Sequence, residues 1–445
     1  MRFIPVTCEQ RSDMLRTVGA ETVDDLFVDI PEAARLARPL ALPEGMGEVE
    51  LAAHLQELAR RDAHGDSLVS FMGGGCYDHY VPAIVDAVVS KPAFFTAYTP
   101  YQPEVSQGTL QAIYEYQSMI CSLTGMDVAN ASMYDGATAF VEGALMAARV
   151  TRRREVVVSG AVHPEWRETL ATYAGGGALT IVSCPMRGGV TDAAALRTLV
   201  GGQTAAVLVA SPSFYGTLED LREIGEIAHR AEALLVVGTN PVLLGVLEPP
   251  SCAGADIVVG EGQPLGNPMS FGGPGLGVFA CRQQHLRQMP GRVVGRTVDA
   301  DGRPGFVLTF ATREQHIRRE KATSNICSNH ALNALAAGVY LAAVGTEGLS
   351  GIGRACIAKA HYLEQALVAT GRFLRVFEAP FANEFTLRFE GDVRAMQAAL
   401  LRSGFFAGID LGRFSAADAG LVSFAVTEKR TRAQIDRLLE EVSRL

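Results

Sequence analysis

Between residues 138 and 281, short apolar runs rich in β-branched residues alternate with amphipathic segments. The apolar runs fall at 156–158, 179–182, 206–209, 234–237, 257–259 and 278–280. Near-continuous apolar strands separated by helices are typical of a mostly parallel sheet that is covered on both faces. The pattern therefore predicts a three-layer α/β domain.

Two helices are indicated by signals at their ends. Residues 109–124 carry apolar side chains near helical spacing, and Gly125 follows them as a stop signal, because glycine readily takes the left-handed conformation that ends helices. The segment 217–220, Thr-Leu-Glu-Asp, resembles a capping box and predicts a helix that runs to about Ala233.

The two ends of the chain have different patterns. The first sixty residues are amphipathic and predict helices. After about residue 329 come an Ala/Leu-rich helix, a second helix, two strand-like runs at 385–389 and 421–426, and a charged amphipathic helix. We therefore predict an N-terminal helical segment over 1–65, a large α/β domain over 66–328 and a small α+β domain over 329–445.

Composition excludes several classes of protein. A net charge of −9 argues against a nucleic-acid surface, and no run approaches the length of about 18 apolar residues that a membrane helix needs. The start of the chain lacks the pattern of a signal peptide, and eight scattered cysteines without a CxxC pair indicate a reducing cytoplasm. Nine histidines without HExxH spacing predict no metal site.

Four segments resemble the P-protein of the glycine cleavage system. They are TAYTPYQPEVSQG (96–108), GEGQPLGNPMSFGGPGLG (260–277), MPGRVVG (289–295) and TREQHIRREKATSNIC (312–327). The resemblance extends over most of the chain, is weaker in the C-terminal domain, and matches the N-terminal half of the family, which in the two-subunit form is the first subunit. It implies the type I pyridoxal-phosphate-dependent transferase-like fold.

A pyridoxal-phosphate site needs a Schiff-base lysine, an acidic partner for the pyridinium nitrogen and a helix N-terminus for the phosphate. Gln263 and Pro264 stand where the resemblance places the lysine, and the strand that should end in aspartate ends in Gly-Thr-Asn at 238–240. We therefore expect no catalytic lysine and no direct cofactor binding in this chain. The resemblance implies that a lysine-bearing partner subunit, a homologue of this chain, carries the pyridoxal phosphate.

Two residues near the expected cofactor position have simpler interpretations. Asp135 precedes an alanine-rich helix, and its charge would repel a phosphate, so we interpret it as an N-cap residue. His163, at a strand end, takes the place of a ring-stacking residue in intact sites, and we interpret it as structural.

Type I enzymes build each active site at a subunit interface, so a chain without cofactor can contribute residues to its partner. Pro100 and Pro103 enforce an irregular loop before the helix at Thr109. The resemblance implies that this loop faces glycine and cofactor on the other subunit. The predicted lining residues are Tyr98, Tyr101, Gln102 and Glu104. Alternatively, the tyrosines only pack at the interface.

A second candidate is the basic run at 318–325. Arg319, Lys321, Ser324 and Asn325 could bind carboxylate or phosphate groups through charge-assisted hydrogen bonds. The alternatives are a solvated helix face for the charged residues and a helix cap for Ser324 and Asn325.

The resemblance implies a chain that is inactive alone. With its partner subunit it would decarboxylate glycine and pass the aminomethyl group to the lipoyl arm of the H-protein. Two alternatives remain open. One is a stand-alone type I enzyme that uses Lys91, Lys321 or Lys359, and the other is a scaffold or regulatory subunit whose interface loop only packs.

Overall fold

The computed structural model describes residues 6–36, 38–63 and 67–445. The chain divides into two compact units, Met1–Ala63 and His64–Leu445. The first unit contains helices α1 (Cys8–Val18), which Thr7 and Gln10 cap reciprocally, and α2 (Glu48–Ala59). The predicted domain limit at 65/66 lies outside the described residues, and the limit at 328/329 remains a prediction.

A seven-stranded sheet forms the centre of the second unit. In spatial order its strands are β2 (Val128–Ala129), β10 (Gly277–Cys281), β9 (Ile257–Glu261), β8 (Leu234–Thr239), β7 (Thr204–Ala210), β3 (Glu155–Ser159) and β4 (Thr180–Cys184). The five strands from β9 to β4 are parallel, and β10 is antiparallel to both of its neighbours. The predicted mostly parallel sheet and its six strands are confirmed.

Helices cover both faces of this sheet. One face packs against α5 (Gln107–Thr124), α8 (Ala193–Leu199), α9 (Leu221–Arg230) and the first part of α11 (Ala331–Ala369), and the other against α6 (Gly136–Thr151) and α7 (Pro164–Ala174). Successive side chains of a strand point to opposite faces, so Val157 lies in the first core while Val156 and Val158 lie in the second. The three-layer prediction is confirmed.

The C-terminal region is an α+β arrangement, as predicted. A four-stranded antiparallel sheet packs with the C-terminal part of α11 and two further helices around a third core. Its elements are β13 (Phe373–Arg375), β14 (Glu384–Phe389), β17 (Leu421–Ala425), β16 (Ile409–Asp410), α12 (Val393–Arg402) and α13 (Arg432–Ser443). Beside it, β15 (Phe405–Ala407) pairs in parallel with β1 (Val69–Phe71).

Helix α11 is broken into two at Gly345, where φ is 61° and ψ is −175°, which confirms the two predicted helices. It is long and apolar enough to cross a membrane. Its side chains, however, contribute to two protein cores, Tyr340 to the first and Leu363 to the third. We therefore interpret α11 as a core helix.

Short elements complete the unit. They are α3 (Ala83–Val89), α4 (Pro92–Phe95), α10 (Gln315–Arg318), and the two hairpins formed by β5 (Met186–Arg187) with β6 (Val190–Thr191) and by β11 (Val293–Val298) with β12 (Pro304–Thr309).

The signal at Gly125 is confirmed, because α5 ends there with glycine in the left-handed region. The predicted capping box at 217–220 is wrong. Helix α9 begins at Leu221 and ends at Arg230, and its cap is Asp220, whose carboxylate accepts from the Glu223 amide at 3.1 Å. Thr217 instead donates to the Gly189 carbonyl.

Glu219 gives this region a predicted pH dependence. Its carboxylate accepts from the Thr191 amide at 3.0 Å and from the Thr191 hydroxyl at 2.7 Å, and burial raises its pKa from 4.5 to about 7. The native state then holds this proton more tightly than the unfolded chain. Its contribution to the free energy of unfolding is therefore greatest below pH 4.5 and falls as pH rises to about 7.

We expect Glu219→Gln to flatten that decrease by up to about 3 kcal/mol between pH 4.5 and 8. Urea unfolding of both proteins across this range measures it. Glu232→Gln, at a surface residue, is the control and should leave the slope unchanged. Parallel curves for Glu219→Gln and the unmodified protein would contradict the assignment.

Candidate functional site

The carboxyl ends of β7, β8 and β9 lie near the N-terminus of α6. Ligands of open α/β sheets bind outside the carboxyl ends of the strands. A cavity of about 60 Å³ lies here, enough for a few water molecules. Its walls include Tyr77, His163, Trp166, Asn240 and Glu261.

The indole of Trp166 fills much of the space around this cavity. A Cβ atom added at Gly136, the first residue of α6, would lie 2.6 Å from Trp166 Cζ2, and one added at Gly238, near the end of β8, would lie 2.8 Å from Cζ3. The ring therefore occupies the region between the start of the helix and the strand end. Phe140 packs against it at a centroid distance of 5.4 Å.

The start of α6 is bound by carboxylates of this chain. Glu261 Oε2 accepts from the Gly136 amide at 2.9 Å, and its Oε1 accepts from the amides of Gln263 at 2.9 Å and Leu276 at 2.8 Å. Burial raises the pKa of Glu261, while these amides act in the opposite direction. Asp135 accepts from the Thr138 amide at 2.7 Å, which confirms its interpretation as an N-cap.

His163 has a partner for each ring nitrogen. Nε2 lies 2.9 Å from the Gly74 carbonyl, and Nδ1 accepts from the Glu165 amide at 3.1 Å. The ring stacks on Trp166 at a centroid distance of 6.3 Å, and burial lowers its pKa. These contacts support the structural interpretation.

The residues at this position do not fit pyridoxal phosphate. No lysine is among the described residues that line the cavity. Gln263, in place of the lysine, is buried and binds the Tyr77 backbone through both its amide oxygen and its amide nitrogen. Strand β8 does not end in an acidic residue. Glu261 accepts a hydrogen bond from Gly136, one of the helix N-terminal amides that would otherwise be available to a phosphate.

A second cluster surrounds Tyr101, on the predicted interface loop. Its hydroxyl accepts from Arg292 Nη2 at 2.9 Å, and the guanidinium lies 5.4 Å from the ring centroid. Arg292 is only 6% exposed, and its Nε lies 3.4 Å from Glu314 Oε2. The ring of His316 packs edge-on against Tyr101. Tyr101 itself remains 51% exposed, so the cluster orients a phenol at the surface.

The sequence interpretation did not include Arg292, Glu314 or His316 as site residues. Arg292 belongs to MPGRVVG, and the other two belong to TREQHIRREKATSNIC, so the quoted motifs were the available signal. The motifs could not show that Tyr101 and Arg292, which are 191 positions apart in the sequence, would be in contact.

Some of the predicted residues converge on this cluster. Ser324 lines a small cleft together with Arg292, Arg313 and Glu314, and Tyr98 Oη lies 3.4 Å from Ser328 Oγ, which lines the same cleft. Burial lowers the pKa of Arg313 to about 10.

The other five predicted residues do not converge on it. Gln102, Glu104, Arg319, Lys321 and Asn325 are exposed, and no side-chain hydrogen bond or ion pair within the described part of the chain involves them. Their roles remain predictions.

One group of metal-ligand type lies elsewhere, formed by His79, Cys356 and Glu428. His79 Nδ1 lies 2.6 Å from Glu428 Oε2, and Cys356 Sγ lies 3.6 Å from the same oxygen. Because 349 positions separate His79 from Glu428, spacing motifs could not reveal the group. These contacts join the loop at residue 79 to α11 and to the segment before α13.

Comparisons with known proteins identify the family. The family model described as "Glycine cleavage system P-protein" matches residues 1–442. A probable glycine dehydrogenase (decarboxylating) subunit 1 from Anoxybacillus flavithermus is 50% identical over 441 residues, which is 99% of this chain and 98% of the relative. The corresponding protein from Moorella thermoacetica is 49% identical over 439 residues, with the same coverage.

Solved structures agree. The crystal structure of glycine decarboxylase (P-protein) of the glycine cleavage system, in inhibitor-bound form, matches with a TM-score of 0.91 and 43% identity over all of both chains. Sphingosine-1-phosphate lyase from Burkholderia pseudomallei matches with a TM-score of 0.66 at 16% identity, covering 93% of this chain and 94% of the lyase, and shows the fold alone. The predicted type I pyridoxal-phosphate-dependent transferase-like fold is confirmed, and the chain belongs to the glycine cleavage system P-protein family.

Proposed function

We propose that this chain is the first subunit of a two-subunit glycine decarboxylase of the glycine cleavage system, and that it works in the cytoplasm. A homologous second subunit supplies the lysine and carries the pyridoxal phosphate. The observation that carries the proposal is that Trp166 and Glu261 take up the space and one of the helix-terminal amides that a cofactor would need in this chain. The names of the relatives, subunit 1, support the existence of a second subunit.

The part played by this chain follows from the Tyr101 cluster. A guanidinium can only donate hydrogen bonds, so the phenol oxygen of Tyr101 accepts from Arg292 and its own O–H is free to donate outwards. At a subunit interface that proton can be donated to the carboxylate of glycine bound on the partner. Tyr98, which is 78% exposed, and the exposed Gln102 lie on the same loop as Tyr101, and we propose that they also face the partner's site.

Transfer of the aminomethyl group to the lipoyl arm of the H-protein completes the proposed reaction. The exposed loops at 98–104 and 319–325 are the proposed sides of the channel through which this arm reaches the partner's site. Glu104, Arg319, Lys321 and Asn325 project from these loops.

The stand-alone alternative finds no support in the positions of the lysines. Lys359 Nζ donates to the Glu428 carbonyl, while Lys91 and Lys321 are exposed. None of the three lines the cavity at the sheet edge.

The test is an absorbance spectrum of the purified chain after incubation with pyridoxal phosphate and removal of the excess. We expect no band of bound cofactor. The chain alone should not exchange labelled bicarbonate into the carboxyl group of glycine, and addition of the second subunit should produce this exchange. A stable band that borohydride fixes to one lysine of this chain would overturn the proposal.

A further inference from the structure

Two carboxylates without a cationic partner line the cavity at the sheet edge. They belong to Glu261 and Glu384, and for the residues that the structure describes, no lysine, arginine or histidine forms an ion pair with either. Glu384 is only 3% exposed, and burial raises the pKa of both carboxyl groups. Since buried charges in proteins are normally paired, this cavity favours a positively charged group.

Neutral donors hold both carboxylates in place. Glu384 accepts from the Tyr77 hydroxyl at 2.7 Å, the Gly74 amide at 2.8 Å and the Ser423 hydroxyl at 3.0 Å, and Glu261 accepts from the three amides described above. A carboxylate has about four lone-pair sites, so each can still accept from one further donor. An ammonium group supplies such a donor together with a positive charge.

Asn240, which follows the end of β8, adds an unused donor to the same cavity. Its Oδ1 accepts from the Val242 amide at 3.1 Å. Its Nδ2 is buried and has no hydrogen-bond partner among the residues described. An unsatisfied buried donor is costly, so a ligand with an acceptor would be stabilised here. Carboxylates for a cation and an amide for an anion are the groups that recognise the two ends of a zwitterionic amino acid.

Size restricts this ligand further. The cavity of about 60 Å³ holds about four to six water molecules at roughly 10–15 Å³ each, a space comparable to a molecule of glycine. Trp166 limits it on one side, because even a Cβ atom added at Gly238 would lie 2.8 Å from the ring. The face of an indole also attracts an ammonium group. The cavity therefore fits a small zwitterion and leaves no space for a large side chain.

We infer that this cavity binds glycine within this chain itself, with the ammonium group beside Glu261 and Glu384 and the carboxylate on Asn240. Charge and size select a small zwitterion, and the choice of glycine rests on the proposed function. Because Glu384 stands on β14 and Glu261 on β9, bound glycine links the C-terminal sheet to the edge of the large sheet. The substrate of the complex thereby stabilises this subunit.

The experiment uses the full chain without cofactor or second subunit, so it does not depend on catalysis. Equilibrium dialysis with labelled glycine measures binding, and the emission of Trp166, the single tryptophan of the chain, reports whether the ligand enters this cavity. We expect saturable binding of glycine with a matching change in emission. Methylamine, which has the ammonium group alone, should bind about 10-fold more weakly. Acetate and L-valine should not compete.

Two matched variants replace an amide by a carboxylate. Asn240→Asp removes the donor and places a negative charge beside the carboxylate of glycine. We expect its affinity for glycine to fall by about 10-fold or more, while its affinity for methylamine stays equal or rises. Retained binding of methylamine also shows that the cavity is intact. Gln203→Glu makes the same change at an exposed position and should alter both affinities by less than about 2-fold.

The outcomes separate this inference from the proposed function. If the chain does not retain labelled glycine, or if acetate or L-valine competes as well as unlabelled glycine, the glycine site is disproved. The same follows if Asn240→Asp binds glycine as tightly as Gln203→Glu does. In each case the proposed function stands, because the cofactor spectrum and the bicarbonate exchange test it independently. If the chain binds glycine but the second subunit produces no exchange, the proposed function fails and the site remains.

Discussion

Replacing Glu261 with alanine is expected to lower the free energy of unfolding by about 3–6 kcal/mol, because three backbone amides lose their acceptor at once. Those amides belong to Gly136, Gln263 and Leu276, all of which are buried residues. An unsatisfied buried donor costs about 1–3 kcal/mol, and water that enters the adjoining cavity would offset part of the sum. Urea or guanidinium unfolding monitored by circular dichroism measures the change.

Two further variants make this result specific. Glu261→Gln keeps one carbonyl oxygen but places an amide near donors, so its loss should be smaller than that of the alanine variant. Glu232→Ala removes a carboxylate whose side chain is 87% exposed and paired with Arg153, and it should cost no more than about 1 kcal/mol. A loss for Glu261→Ala as small as that would mean that water fully replaces the carboxylate.

Glu261 also explains how a chain with the fold of pyridoxal-phosphate enzymes could be stable without the cofactor, as we propose for this chain. A helix N-terminus has amides that need acceptors and a dipole that favours negative charge. In this chain Glu261 provides both, in the place where a phosphate would, and Trp166 fills neighbouring space. In a chain without cofactor, as we propose this one to be, the Gly136 amide therefore keeps an acceptor and only a cavity of about 60 Å³ remains.

The sheet could be predicted from the sequence because its central strands, β7 to β10, are buried on both faces, so each is a continuous apolar run. The end of α5 at Gly125 could also be predicted, since a helix end in the left-handed conformation depends on a single residue. The capping box failed for the opposite reason. Thr217 and Asp220 both have the chemistry of a cap, and a carbonyl 28 residues away, that of Gly189, decides that Thr217 is not one.

The candidate site shows the same limit. The sequence itself shows that Gln263 stands in place of a lysine and that no acid ends β8, because each is a matter of which residue occupies one position. What fills the vacated space depends on contacts between distant segments. Glu261 and Gly136 are 125 positions apart, and nothing local to Trp166 predicts that its ring faces Gly136 and Gly238.

Tyr101→Phe is expected to reduce kcat/KM for glycine by about 10- to 100-fold in the assembled complex, because a hydrogen bond to a charged group contributes about 1.5–3 kcal/mol. Arg292 fixes the phenol so that its proton points away from the guanidinium, and we propose that the acceptor is the carboxylate of glycine. The carboxylate is already present when glycine binds, so removing its hydrogen bond weakens the binding of the substrate itself. The change should therefore be mainly a higher KM. Steady-state bicarbonate exchange at several glycine concentrations separates KM from kcat.

Tyr114→Phe is the matched control, since it removes a phenol that stands on α5, with its ring on Phe306, 5.2 Å away between centroids. It should leave both constants unchanged. Subunit association should be equal for the two variants, because Tyr101 loses one oxygen atom and keeps its contact with His316. Full activity of Tyr101→Phe in an intact complex would favour the scaffold alternative, in which this loop only packs. Loss of activity together with loss of association would show that the phenol holds the interface and would remove the argument that it binds substrate.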